Sequence, residues 1–218
     1  MKKLFFLLIL LNCFTFAYSN IFESKESLKM VYDESLPDGI NESKMFYNKE
    51  NFYVEWIGNE DKYKVYHDNE KVNKLEYISK DSHFILERKE NKVFLIGEKE
   101  NKKIEKEFIL DDLPWFQIYG YSLSLIDYSS DNIYFWTFNP QDLDFKKMYV
   151  YFNSFENIRI NNKDYNTMNI KMKIDGFLST FWTGDFWIDS EDKIYLKYKG
   201  LNIYPKLYTT EIIFNRFE

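Results

Sequence analysis

Apolar and polar positions alternate along most of this 218-residue chain. Met168, Ile170, Met172 and Ile174 point one way, while Asn169, Lys171, Lys173 and Asp175 point the other. Ile194, Leu196 and Tyr198 oppose Lys193, Lys197 and Lys199, with Tyr195 an aromatic exception on the polar face, and Ile158 and Ile160 flank Arg159. A period of two with one apolar face predicts antiparallel strands that are dry on one side and wet on the other. Polar clusters separate the runs: Asn48-Lys49-Glu50-Asn51, Asp68-Asn69-Glu70-Lys71, Lys89-Glu90-Asn91-Lys92, Glu100-Asn101-Lys102, Asn161-Asn162-Lys163-Asp164 and Ser190-Glu191-Asp192. These predict hairpin turns, because Asn and Asp tolerate the left-handed backbone that tight turns require. Parallel strands would need helical crossovers, and no helical stretches lie between the runs. The pattern predicts a mainly β protein built as one large, strongly curved antiparallel sheet, a half-barrel with a short helical cover.

Two stretches depart from the alternation. Asp111-Asp112-Leu113-Pro114 precedes residues 115–127, where Phe116, Tyr119, Leu123 and Ile126 recur at spacings of three and four. An acidic residue followed by Pro in the first turn predicts a helix N-terminus there, and Gly120 with the neighbouring serines predicts a short or broken helix. Residues 20–41, with Pro37-Asp38-Gly39, read as a loosely ordered lead-in arm. No shift in composition marks a second domain and no repeat appears, so residues 20–218 are expected to form a single antiparallel β domain.

Residues 1–19 carry a different grammar. Lys2 and Lys3 form a basic head, Leu4 to Leu11 an unbroken apolar run, and Ala17-Tyr18-Ser19 the small-residue site of a signal peptidase. The run is shorter than the roughly 20 apolar residues that cross a bilayer. The expectation is a cleaved export signal and a periplasmic or secreted protein without a transmembrane span. The single cysteine, Cys13, lies inside this segment. Leu10-Leu11-Asn12-Cys13 loosely resembles a lipobox, but Asn12 is larger than the usual Gly, Ala or Ser. Phe14 to Phe16 also continue the apolar run, which favours simple cleavage before Asn20 over lipidation. The mature chain then has no disulfide and no thiolate chemistry.

The net charge is −6, and loss of Lys2 and Lys3 makes it more negative still. A general affinity for nucleic acid is therefore not expected, since that needs a basic patch. His67 beside Asp68 and His83 after Asp81-Ser82 lack a second His or Cys at ligand spacing, and both read as surface histidines in or near turns. Asp185, Asp189, Glu191 and Asp192 cluster near Trp182 and Trp187, a grouping that is also found at sugar-cleaving sites. The run from Asp189 to Asp192 reads more simply as a solvated turn, and it lacks the spacing of a calcium loop. No nucleophile elbow, phosphate loop or His-Glu-x-x-His motif appears. No catalytic residue, metal or cofactor is assigned.

Aromatic residues carry the remaining signal, at 20% of the chain with 18 Tyr and 21 Phe. Alone, each fills a core. Together, large rings on the concave face of a curved sheet leave an apolar trough of the kind that binds hydrophobic ligands. Trp56, Trp115, Phe116, Leu123, Trp136, Trp182 and Trp187 are the expected lining.

The segment from Leu113 to Phe214 also resembles a family of exported bacterial proteins of unknown function that shares the curved sheet of the lipoprotein carriers LolA and LolB. Leu113-Pro114-Trp115-Phe116-Gln117 is similar to the aromatic segment opening that family's helical cover. Phe155-Glu156-Asn157-Ile158 with Lys163-Asp164-Tyr165 resembles its glycine-x-glutamate-x-isoleucine and basic-x-tyrosine strand pair, Phe155 replacing a smaller residue. Phe186-Trp187-Ile188-Asp189 with Ile194-Tyr195-Leu196-Lys197-Tyr198 resembles its tryptophan strand and hairpin, and Leu201-Asn202-Ile203-Tyr204-Pro205 leads into a last strand. The resemblance implies the fold, an envelope setting, no catalytic residues, and a lipid, acyl chain or lipoprotein as partner. The leading expectation is a non-enzymatic binder of a hydrophobic ligand or acylated partner. A ligand-free structural or interaction module is the second, and a carboxylate-dependent hydrolase using Asp185 is the third.

Overall fold

The computed structural model describes residues 20–68, 71–176, 182–202 and 208–218; residues 1–19 with Cys13, the Asn69-Glu70 pair and the Ile203-Tyr204-Pro205 stretch lie outside them. After a four-residue helix, α1 (Ile21–Ser24), the first half of the chain forms β1 (Ser27–Leu36), β2 (Gly39–Asn48), β3 (Tyr53–Ile57), β4 (Asp61–Asp68), β5 (Lys71–Ser79), β6 (Ser82–Lys89), β7 (Lys92–Lys99) and β8 (Lys102–Ile109). A second short helix, α2 (Tyr119–Ser122), continues as a 3-10 turn over Leu123–Leu125. The chain then forms β9 (Ile133–Asn139), β10 (Asp144–Ile160), β11 (Lys163–Ile174), β12 (Thr183–Asp189), β13 (Tyr195–Asn202) and β14 (Tyr208–Phe217).

The described strands form one antiparallel sheet in the order β8 to β1, then β14 to β9. Every neighbour is a sequence neighbour except β1 and β14, whose ladder joins the two meanders at the middle of the sheet. Turn chemistry sets the register. Glu100 and Asn101 have φ of 52° and 62° between the pair Lys99 and Lys102, and Asn161 and Asn162 have φ of 48° and 64° between Ile160 and Lys163. Two successive positive φ values match the right-handed twist of the flanking strands. Alternate residues then fill the concave side: Met30, Met45, Val54, Val65, Leu75 and Leu95 have no exposed surface.

Three local expectations are corrected. Residues 20–41 are not a loose arm, because β1 pairs along its whole length with β2 and from Met30 to Ser35 with β14. Pro37-Asp38-Gly39 marks the β1–β2 connection, with Gly39 at φ 142°, and Leu28, Met30 and Tyr32 already carry the period of two. The helix starts not at Pro114 but at Tyr119, after Ile118, which offers no side-chain cap. Pro114 instead accepts a hydrogen bond from the Trp136 N–H at 2.8 Å, and the Phe116 N–H donates to the Trp136 carbonyl at 2.9 Å. The edge of β9 thus claims backbone groups that a helix would have used. Tyr195, expected on the polar face, is 3% exposed. A bulge opposite Trp187 and Ile188 pairs Ile188 with Tyr195 and Trp187 with Lys197, which turns Tyr195 inward.

The sheet does not close, since β8 and β9 share no ladder. Its ends overlap instead. Phe84 and Phe108 pack edge-on against Phe138, with ring centroids 5.7 and 6.1 Å apart, and Phe108 meets Phe145 at 5.2 Å. Arg88 donates to the carbonyls of Asp111 and Leu113, and the ammonium groups of Lys99 and Lys106 donate to the carbonyls of Gln141 and Leu143. Phe135 and Thr137 on the other side of β9 are buried too, so both faces of that strand are covered.

Candidate ligand-binding site

The helical segment lies across the concave face and fills part of it. The Tyr121 ring packs against Phe22 at 5.0 Å, Tyr47 at 5.5 Å and His67 at 4.9 Å. Gly120 allows the close approach, because a Cβ there would sit 2.6 Å from the Tyr195 ring. The Tyr119 and Thr137 hydroxyls share a hydrogen bond of 2.8 Å, which ties the segment to β9.

Beside this cover a cleft of about 450 Å³ remains. Trp56 of β3, Tyr63 of β4, Met172 of β11, Phe186 of β12, Tyr198 of β13 and Ile212 of β14 line it, together with Met148 and Lys146 of β10 and Tyr119 of α2. The wall is a continuous run of rings. Tyr32 lies 5.5 Å from Trp56 and 5.2 Å from Tyr195, and Phe186 lies 6.1 Å from Tyr195 and 4.8 Å from Tyr198. Burial holds the hydroxyls in their neutral form. The Tyr119 phenol is pushed up to about 12, and those of Tyr63 and Tyr198 are pushed up as well.

Of the residues expected to line a trough, the structure brings Trp56 and Trp182 to the cleft. Trp115 and Leu123 are fully buried in the core beneath it, and the Trp115 Nε1–H donates to Gln117 Oε1 at 3.1 Å. Phe116 packs on Phe135 at 5.0 Å and stays half-buried. Trp136 and Trp187 belong to the opposite parity from the buried Phe135 and Phe186, and their indole N–H groups donate to Asp111 at 2.7 Å and Glu156 at 2.8 Å. Tyr63, Tyr119, Phe186 and Tyr198 are not among the residues expected to line the trough. Strand parity carried the signal, since Tyr63 pairs directly with Trp56, and Phe186 with Tyr198.

Polar groups near the cleft are few. Lys146 is held by Asp142 at 2.9 Å and Asp144 at 3.1 Å. Asp61 opens β4, where its carbonyl accepts from the Gly58 N–H at 2.8 Å. Burial pushes the Asp61 carboxyl up to about 6. His67 is not the surface histidine expected of a turn. A bulge at Tyr66 and His67 accompanies its inward position against Tyr121, and burial lowers its pKa to about 4. His83 stays outside, 3.5 Å from Glu76. Asp185 lies between the inward Gly184 and Phe186, faces the other side of the sheet, and sits 3.6 Å from Lys171. Asp189 accepts the N–H groups of Glu191 and Asp192, both at 2.8 Å, and so braces its turn. Among the described residues no three His, Cys, Asp or Glu side chains are grouped as a metal ion needs, and no helix is long and apolar enough to cross a membrane.

No protein-family model matches the chain, and the search of curated proteins finds no match. Solved structures do resemble it. A β-barrel-like protein of a domain of unknown function, DUF1849, from Brucella abortus superposes with a TM-score of 0.62 at 9% identity, over 88% of this chain and 97% of that one. The hypothetical lipoprotein YmcC from Escherichia coli gives a TM-score of 0.38 at 9% identity, over 87% and 86% of the two chains. A LolA superfamily protein from Nitrosomonas europaea gives 0.21 at 8% identity, over 91% of each. The first shares the fold alone, and the other two superpose too loosely to carry an argument. The architecture implied by the sequence resemblance, an open curved antiparallel sheet with a short helical cover, is the one the chain adopts.

Proposed function

We propose that this is an exported, non-enzymatic envelope protein that holds a hydrophobic ligand or acylated partner in the cleft between the helical segment and the sheet. The cleft itself supports the reading. Its volume of about 450 Å³ falls within the range of about 300–1,000 Å³ for small-molecule sites, and its wall is mostly rings and thioethers. Binding is by burial. Eight methylenes taken from water contribute about 6 kcal/mol at ~0.8 kcal/mol each, before the costs of ordering ligand and protein. The N-terminal export grammar supports an envelope setting, with the mature chain starting at Asn20.

A ligand-free interaction module has one observation on its side. The part of the concave face under Tyr121, Trp115 and Leu123 is tightly packed and leaves no room for a guest.

Native mass spectrometry of the protein recovered from its cell envelope separates the two. The proposal expects a chain beginning at Asn20 that carries, or takes up, one lipid-sized adduct. A bare chain that ignores added fatty acids and acyl-peptides contradicts it.

A further inference from the structure

The long hairpin of β10 and β11 carries a second pocket, of about 340 Å³, that shares no lining residue with the cleft. Phe155, Glu156, Asn157, Asn166, Thr167 and Ser190 line it. An irregularity between Phe152 and Ser154 shifts the register of β10, after which Phe155 pairs with Met168 and Asn157 with Asn166. Directly paired residues share a face, as do residues two apart on one strand. The Phe155 ring and the two amides therefore belong to one side of the hairpin.

Its polar groups are unequally committed. The Glu156 carboxylate accepts the Ser154 hydroxyl and the Trp187 indole N–H, both at 2.8 Å, and the Glu156 carbonyl accepts the Thr167 hydroxyl at 2.8 Å. The Asn166 carbonyl accepts the Ser190 N–H at 2.9 Å. Three side chains are left over. Ser190 Oγ is buried without a hydrogen-bond partner, and the exposed side-chain amides of Asn157 and Asn166 bond to no other described residue. A buried hydroxyl left unbonded costs stability, and an occupant that completes it removes the cost. Beside these groups the Phe155 ring is 71% exposed, although rings of this size are normally withdrawn from water.

We propose that this pocket binds a neutral sugar ring. A pyranose has an apolar C–H face, which the Phe155 ring covers, and a rim of hydroxyls that both donate and accept. An Asn amide offers an acceptor and two donors and so serves two adjacent hydroxyls, while Ser190 adds a hydroxyl of its own. No lysine or arginine lines the pocket to receive an acidic group, and its one carboxylate already has partners, so a charged ligand finds no counter-charge. An extended peptide docks on free backbone groups at a strand edge, whereas the carbonyls of Glu156 and Asn166 are taken. The volume lies at the lower end of the range of about 300–1,000 Å³ for small-molecule sites, which suits one ring rather than a chain.

Saturation-transfer NMR of the purified protein with glucose, N-acetylglucosamine, their disaccharides maltose and chitobiose, glucuronate and trialanine tests the inference. At least one neutral sugar should bind saturably, at least about tenfold more tightly than glucuronate, with transfer strongest at its C–H face. Phe155→Ala, and separately Asn157→Ala combined with Asn166→Ala, should weaken that binding at least about tenfold at unchanged circular dichroism. All three positions are exposed, so the substitutions spare the core. A sugar bound as tightly alone as in its disaccharide points to a free sugar, and one bound more weakly alone to the end of a glycan; either upholds the proposal. Tighter binding of glucuronate or trialanine overturns it in favour of an anion or a peptide, and undiminished sugar binding by the folded variants overturns the placement. Binding of none of the probes overturns it outright. Each of these failures leaves the hydrophobic-ligand reading of the cleft intact.

Discussion

Two titratable side chains on the inward face of β4, six residues apart, oppose each other in acid. His67 has its pKa lowered to about 4 by burial, against an ordinary value of 6.5. Below pH 6.5 the unfolded chain takes up this proton and the folded chain does not. The contribution of neutral His67 is therefore complete above that pH and is lost as pH falls toward 4, by about 3 kcal/mol in all. Asp61 runs the other way. Its carboxyl is raised from 3.8 to about 6, so the folded chain holds a proton that the unfolded chain releases. Its burial costs about 3 kcal/mol once pH rises through 6, and nothing below pH 3.8. Urea denaturation should therefore find Asp61→Asn more stable than wild type at pH 7.5 and little changed at pH 4. His67→Phe should gain on wild type as pH falls from 6.5 to 4. Parallel stability–pH curves for all three proteins would contradict these assignments. Neither shift was legible in the sequence. His67 stands beside a polar turn, yet it keeps the parity of Tyr63 and the buried Val65, and the ring of Tyr121, 54 positions along the chain, covers it.

At the scale of elements, most of the hairpins were legible because their determinants are local. Clusters such as Glu100-Asn101 and Asn161-Asn162 sit at the turns, and alternation on either side fixes which face is buried. Errors arose where a distant partner decides the outcome. Residues 115–127 hold a helical period, yet the segment before Tyr119 runs along the edge of β9, and its helix shrinks to one turn. Tyr195 breaks the parity of β13 through a bulge that cross-strand register alone reveals. The β6–β7 contact has a comparable hidden determinant in Gly97 of β7. A Cβ there would lie 2.3 Å from the His83 carbonyl oxygen and 2.4 Å from the Phe84 Cα, both backbone atoms of β6 that cannot swing aside. Glycine at this position permits the close approach of two backbones. Gly97→Ala should cost about 1–3 kcal/mol in chemical denaturation. An alanine variant as stable as wild type would show that the approach is not structural.

For the whole molecule, an excess of rings serves two ends. Where the sheet's ends overlap, Phe84, Phe108, Phe138 and Phe145 pack edge to face and stand in for the ladder that would close a barrel. Along the cleft, Trp56, Tyr63, Phe186 and Tyr198 present their surfaces to an empty volume. Composition announced the excess and alternation announced a curved sheet. The division between packing and lining was not readable, because it depends on where the helical segment comes to rest. That is why Trp115 and Leu123, plausible from sequence as lining, belong to the core, and why Trp136 and Trp187 hydrogen-bond on the other face.

The central claim is that the cleft beside the helical cover is a binding site for an apolar chain. Its most direct test is a titration of a fluorescent acyl probe against wild type and Met172→Trp, which places an indole in the cleft from a position that is 1% exposed. Saturable one-to-one binding by wild type, weakened at least about tenfold in a variant of unchanged circular dichroism, is the predicted result. Absence of binding to wild type, or equal binding to a folded variant, would contradict it.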